Sequence, residues 1–180
     1  MTTPEARAAL ELVLAREPTL GSGRLLAIDG PAGSGKTSLA EAVFDLFPGC
    51  RVVHMDDLYD GWSGLPRLGG QLDSLLLPLA AGRPGRYRRY DWTADRFAET
   101  VTVDPLDLLV LEGVGSGSAA HAGLHTALVW LDAPADLRLE RGLARDGTGL
   151  EARWRQWMHD EAEHFERERT RERADLLLST

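Results

Sequence analysis

The segment Gly30-Pro31-Ala32-Gly33-Ser34-Gly35-Lys36-Thr37 narrows the folds open to this chain more than any other feature. It fits the pattern G-x-x-x-x-G-K-[ST], and it lies between a short apolar run, Arg24–Asp29, and a helical stretch, Thr37–Phe47. In that setting the glycines let the backbone bend so that successive N–H groups face inward around a phosphate. The positive end of the following helix adds to the attraction. Lys36 supplies a compact charge for β- and γ-phosphates, and the Thr37 hydroxyl is placed to ligate Mg²⁺. Gly30, Ala32, Gly33, Ser34, Gly35, Lys36, Thr37 and Ser38 are therefore the expected ATP-binding residues. The competing reading is a chance glycine-rich turn, and lysine usage weighs against it. Among 20 Lys and Arg residues Lys36 is the single lysine, and arginine's broad planar fork does not replace a compact ammonium in such a nest.

Four further runs resemble Arg24–Asp29 in being short, apolar and nearly uncharged inside: Arg51–Met55, Asp107–Leu111, Ala127–Leu131 and Ala174–Leu178. Strands buried on both faces have this character. Helical stretches alternate with them at Thr37–Phe47, Gln71–Ala81, Ala135–Arg145 and Leu150–Arg173. An amphipathic helix that starts at Thr3-Pro4 carries Ala6, Ala9, Leu10, Val13 and Leu14 and ends before Pro18. The alternation predicts one doubly wound α/β domain over residues 1–180 with a parallel sheet. The least regular stretch, residues 58–102, is long for a connection inside a compact domain and is the expected substrate-binding insert.

Composition removes several classes of function. At a net charge of −8 and a pI of about 5.1, the chain has no overall positive field for nucleic acid or anionic lipid. The basic run Arg83, Arg86, Arg88 and Arg89 is too thin to change that; it reads as a contact for an anionic group or as a solvated hairpin. Cys50 is the only cysteine, which excludes an intrachain disulfide and agrees with a cytoplasmic location. Neither a signal-peptide core nor an apolar run of membrane-spanning length is visible, so no membrane partner is expected. The five histidines, His54 among them, show no metal-ligand spacing and read as packing or surface residues. Trp154, Met158, Ala162 and Phe165 form a helical stripe that reads as core.

Beyond the loop, Asp56-Asp57-Leu58-Tyr59 is similar to an Asp-x-Phe-Tyr signature and Tyr90-Asp91-Trp92 to a Tyr-Asp-aromatic element. Glu112-Gly113 ends the third core strand, Arg138, Arg141 and Arg145 share one helical face, and Ala174-Asp175 opens the last strand. In that order the chain resembles the uridine kinase-like branch of the nucleoside and nucleoside monophosphate kinase-type P-loop fold. The resemblance implies a three-layer domain with a five-stranded parallel sheet in the order 2-3-1-4-5, in which strands 1 and 2 do not pair, and a lid over residues 134–149. It implies Asp56 as catalytic base, with Lys36, Arg138 and Arg141 in catalysis and Arg141 and Arg145 also on the nucleotide. Asp56, Tyr59, Tyr90, Asp91, Trp92 and Arg96 would bind the acceptor, and Thr37 and Glu112 the metal.

Read from the residues alone, each assignment has a plainer rival. Asp56 could cap a turn, Glu112 could cap the turn at Gly113, and the arginine face could pair with Asp136, Glu140 or Asp146 in solvent. Against the cap, a carboxylate closing a five-residue apolar strand needs a partner such as Lys36 or a metal-bound water. The chain also departs from the resembled pattern. Leu65–Leu72 lacks a His-Pro-Asp-like stretch and no His follows Trp92, so the departures fall on nucleoside recognition and leave phosphate chemistry untouched. A GTPase is excluded, because its Asn-Lys-x-Asp motif cannot exist in a chain with no asparagine and its one lysine in the loop. The expected function is phosphoryl transfer from ATP, with Mg²⁺, to a hydroxyl of a small molecule, nucleosides included, by a monomer or homo-oligomer. The alternative is a regulatory nucleotide-binding module without an acceptor.

Overall fold

The computed structural model describes residues 3–180. Helix α1 (Thr3–Leu14) leads into strand β1 (Arg24–Asp29), helix α2 (Lys36–Leu46) and strand β2 (Arg51–His54). Three short 3₁₀ turns between Met55 and Arg67 precede α3 (Gly69–Ala80) and the antiparallel hairpin β3 (Gly85–Asp91) and β4 (Arg96–Val103). Then follow β5 (Leu108–Glu112), β6 (Ala127–Asp132), α4 (Ala135–Asp146), α5 (Glu151–Glu168), α6 (Thr170–Arg173) and β7 (Leu176–Ser179).

The main sheet runs β2-β5-β1-β6-β7, parallel throughout. Counting only its five strands in chain order, this is 2-3-1-4-5, and β1 and β2 are separated by β5. The apolar runs split cleanly between two layers because successive side chains of a strand point to opposite faces. Leu26, Ile28, Leu108, Val110, Val129 and Leu131 pack under α1 and α2. Leu25, Val53, Leu109 and Leu111 pack on the opposite side against α3 and the hairpin. On α1 the expected apolar face is buried at Ala6, Ala9, Leu10 and Val13, whereas Leu14 is exposed.

The last helical stretch is interrupted. Arg169 takes a left-handed conformation with φ of 51°, ending α5 and turning the chain into α6 where one helix over Leu150–Arg173 was expected. The turn lets Asp175 accept a hydrogen bond from the Leu128 N–H at 2.8 Å and pair with Arg16 at 2.8 Å, which seats β7 on the sheet edge.

Candidate active site

All five parallel strands end on one edge of the sheet, where ligands of open α/β sheets bind. Register brings Ile28, Glu112 and His54 side by side on β1, β5 and β2, so the residues just past them share a crevice.

The loop from Gly30 to Thr37 enters that crevice in a shape only glycine tolerates. Gly30 has φ of 137°, and a Cβ there would stand 2.1 Å from the Leu131 carbonyl oxygen. Gly33, with φ of 81°, would meet the Arg138 carbonyl at 2.6 Å. Lys36 is 6% exposed, and its Nζ donates to the Pro31 carbonyl at 2.9 Å, folding the ammonium back over the loop. Beneath the loop, the fully buried Asp29 accepts hydrogen bonds from the N–H groups of Gly30, Gly115 and Gly117. Burial is the larger influence and raises the Asp29 carboxyl to about 6, while the three N–H groups and Lys36 act to lower it.

Thr37 and Glu112 meet, the threonine hydroxyl donating to Glu112 Oε1 at 3.1 Å. The same oxygen lies 2.5 Å from His54 Nδ1, and this hydrogen bond is the main cause of a raised His54 pKa. A hydroxyl and a carboxylate beside the phosphate loop are the hard oxygen donors that suit Mg²⁺, which takes few protein ligands and completes its shell with water and phosphate oxygens. The donor set therefore fits the ion. His54, a packing or surface residue by its sequence setting, instead meets Glu112; the contact spans 58 positions and follows from the pairing of β2 with β5.

Asp56 follows β2 and opens onto the cavity, with its backbone carbonyl accepting from Trp92 Nε1 at 2.9 Å. Desolvation raises its carboxyl above the ordinary range and the nearby Glu112 charge adds to this, against the pull of Arg145 and Lys36. The three α4 arginines diverge. Arg138 is drawn inward: it donates to the carbonyls of Ala133 and Ala32 and pairs with buried Glu161 at 2.7 Å, and it does not line the cavity. Arg141 lines the cavity and donates to Gly33 O and Thr180 Oγ1. Arg145 also lines it, held in a bidentate pair by Asp146.

The cavity holds about 710 Å³. Its far end is aromatic, formed by Tyr59, Trp62, Trp92, Trp154 and Trp157. Of the expected acceptor-binding residues, Tyr59 and Trp92 stand here with Asp56. Tyr59 is buried, its hydroxyl donating to the Val114 carbonyl at 2.7 Å, and the phenol pKa is raised well above the ordinary value, chiefly by burial. Tyr90, Asp91 and Arg96 sit together at the turn of the β3–β4 hairpin instead of on the cavity wall. Tyr90 donates to Asp95, and Asp91 accepts from the N–H groups of Thr93 and Ala94, which closes the turn. Trp62, Trp154, Trp157, Asp29 and Glu161 were not singled out as site residues. The three-residue spacing of Trp154 and Trp157 and the placing of Trp62 and Trp92 in one irregular stretch were the available signals.

Among known proteins, no family model matches the chain. Curated relatives do: a uridine kinase of Bacillus licheniformis is 32% identical over 140 residues, which is 68% of this chain and 66% of that protein. The uridine kinase of Bacillus subtilis is 31% identical over the same shares. The match thus spans just under two thirds of those relatives. Two solved structures share the fold over nearly the whole of both chains, each at 22% identity. They are a candidate uridine kinase from Bacillus stearothermophilus, with a TM-score of 0.68 over 97% of either chain, and a candidate fructose transport system kinase from Silicibacter sp., with 0.67 over 98%.

Proposed function

The chain belongs to the uridine kinase-like P-loop kinases, and on that premise we propose that it transfers the γ-phosphoryl group of ATP to a hydroxyl of a small molecule. The observation that carries this reading is a single cavity with the phosphate loop at one end and Asp56 facing an aromatic compartment at the other. In this reading the acceptor hydroxyl attacks the γ-phosphorus, a new O–P bond forms, the bond to the β-phosphate oxygen breaks and ADP leaves. Asp56 takes the proton of the hydroxyl. Lys36 leaves Pro31 O for the β- and γ-oxygens, and Arg141 and Arg145 balance charge on the transferring group. Bound through Thr37 and Glu112, Mg²⁺ would neutralise phosphate charge.

The stretch 58–102 serves as the acceptor side, through Tyr59, Trp62 and Trp92. Residues 134–149 serve as a lid whose first turn is fastened by Arg138, so that movement concentrates toward Gly147 and Gly149, where a Cβ would meet nothing within 4 Å.

The test is coupled ADP release with Mg-ATP across nucleosides, sugars, vitamins and hydroxylated antibiotics. One or more acceptors should raise ADP release, Lys36→Ala should weaken ATP binding and abolish most of that rate, and Lys36→Arg should also impair it. Release that no acceptor stimulates, with ATP affinity the same in both variants, would rule the proposal out.

A further inference from the structure

Recognition of a polar acceptor needs side chains that can read its donor and acceptor edges, and the aromatic end of the cavity has few. The chain contains no asparagine and two glutamines. Gln71 is engaged on both sides with the Arg88 backbone and Gln156 donates to Asp160. Nor, among the described residues, does a Ser, Thr or His line this end. The polar tips of its aromatic residues are largely committed: Tyr59 to Val114 O, Trp92 Nε1 to Asp56 O and Trp154 Nε1 to Asp146 Oδ2. Apart from the Arg153 guanidinium, which can donate but not accept, rings are what remain. Trp62 stands at the centre, 5.8 Å from Trp92, 6.2 Å from Trp154 and 6.1 Å from Trp157 between ring centroids, all edge to face. Four of the chain's five tryptophans line this one compartment. Trp92 is 41% exposed despite its size, an uncovered indole at the cavity wall.

On the phosphotransferase reading above, we propose that the acceptor carries its hydroxyl on a flat, largely apolar ring system that stacks among these indoles, with Asp56 as the polar group that finds the hydroxyl. A site of this kind selects by ring area and gives little discrimination to a base edge or a sugar. A site built of hydrogen-bonding groups would reject an apolar ring instead. Base-sized rings gain roughly tenfold or more in affinity from one stacking partner, so loss of one indole should be measurable.

The experiment is calorimetric binding of 2-naphthalenemethanol, uridine and glucose to the full chain, with ADP release recorded for each. The naphthyl alcohol should bind at least about tenfold more tightly than uridine or glucose. Trp92→Ala should weaken it about tenfold, whereas Trp92→Phe, which keeps a ring but loses the hydrogen bond to Asp56, should stay within about threefold. Trp92 is exposed on a hairpin, so neither variant threatens the core. Uridine or glucose binding as tightly as the naphthyl alcohol, or Trp92→Phe behaving like Trp92→Ala, would overturn the proposal while leaving phosphoryl transfer intact. Tight naphthyl binding without ADP release from any acceptor would support ring stacking in this compartment and overturn its assignment to a phosphoryl acceptor, along with the kinase reading.

Discussion

Glu161 and Arg138 form an ion pair at 2.7 Å in which the side chains are 2% and 12% exposed. The second carboxylate oxygen of Glu161 accepts the Ala32 N–H at 2.8 Å, and Arg138 Nη1 reaches Ala32 O at 3.3 Å. One buried carboxylate on α5 thereby ties α4 and the phosphate loop together. Desolvation raises the Glu161 carboxyl, and the Ala32 N–H, Lys36 and Arg138 act to hold it charged.

Removing one partner of such a pair strands the other, whereas exchanging both for apolar groups does not. Glu161→Ala should therefore destabilise the fold by roughly 3–5 kcal/mol in urea unfolding. The double variant Glu161→Leu, Arg138→Met should recover much of that loss, short of the part due to the Ala32 N–H. Additive losses in the double variant would show that the two side chains are independent.

Asp29 gives the fold a pH dependence of definite sign. Its carboxyl titrates at about 6 when folded and in the ordinary carboxylate range, near 4, when unfolded. Between these values the native state binds more protons than the unfolded state, so its contribution is complete below about pH 4 and is lost as pH rises toward 6. The shift corresponds to roughly 3 kcal/mol. Unfolding free energy of the parent chain measured from pH 4 to 7 should fall relative to that of Asp29→Asn, whose side chain does not titrate. Parallel curves would remove Asp29 as the source.

Much of the fold was legible because it rests on local patterns. The glycines of the phosphate loop are demanded by positive φ at Gly30, Gly33 and Gly35, and the alternation of buried strands with helices leads to the observed doubly wound sheet. The candidate site was legible where a residue stands at the start or end of such an element, as Lys36, Thr37 and Glu112 do, or just past one, as Asp56 does. It was not legible where the partner comes from elsewhere in the chain. Nothing near Arg138 indicates that Glu161, 23 residues on, turns it inward. Asp91 looks like a ligand group in one dimension, but two N–H groups of its own turn occupy one of its carboxylate oxygens. The irregular stretch offered no period to follow, since its short 3₁₀ turns place Trp62 by tertiary contact with α5.

The role proposed for Asp56 separates a kinase from a nucleotide-binding module. Its carboxylate lines the same cavity as Lys36 and Gly33, so a hydroxyl beside the γ-phosphate would lie within its reach. Asp56→Asn keeps size and hydrogen bonding but removes basicity. ATP affinity should hold, because the proposal gives nucleotide binding to the loop and α4, while acceptor phosphorylation should fall by about 10²–10⁴-fold, the usual contribution of a general base. The pH profile supplies a second readout. Because desolvation within the cavity and the Glu112 charge raise the Asp56 carboxyl, the acid limb of kcat/KM should lie above the ordinary carboxylate range, activity rising with pH as the base loses its proton. That limb should disappear in Asp56→Asn, whose residual rate no longer depends on this ionisation. A variant that transfers phosphate at the parent rate, or one that keeps the acid limb, would pass the role of base to another carboxylate, with Glu112, which also lines the cavity and interacts with Asp56, the next candidate.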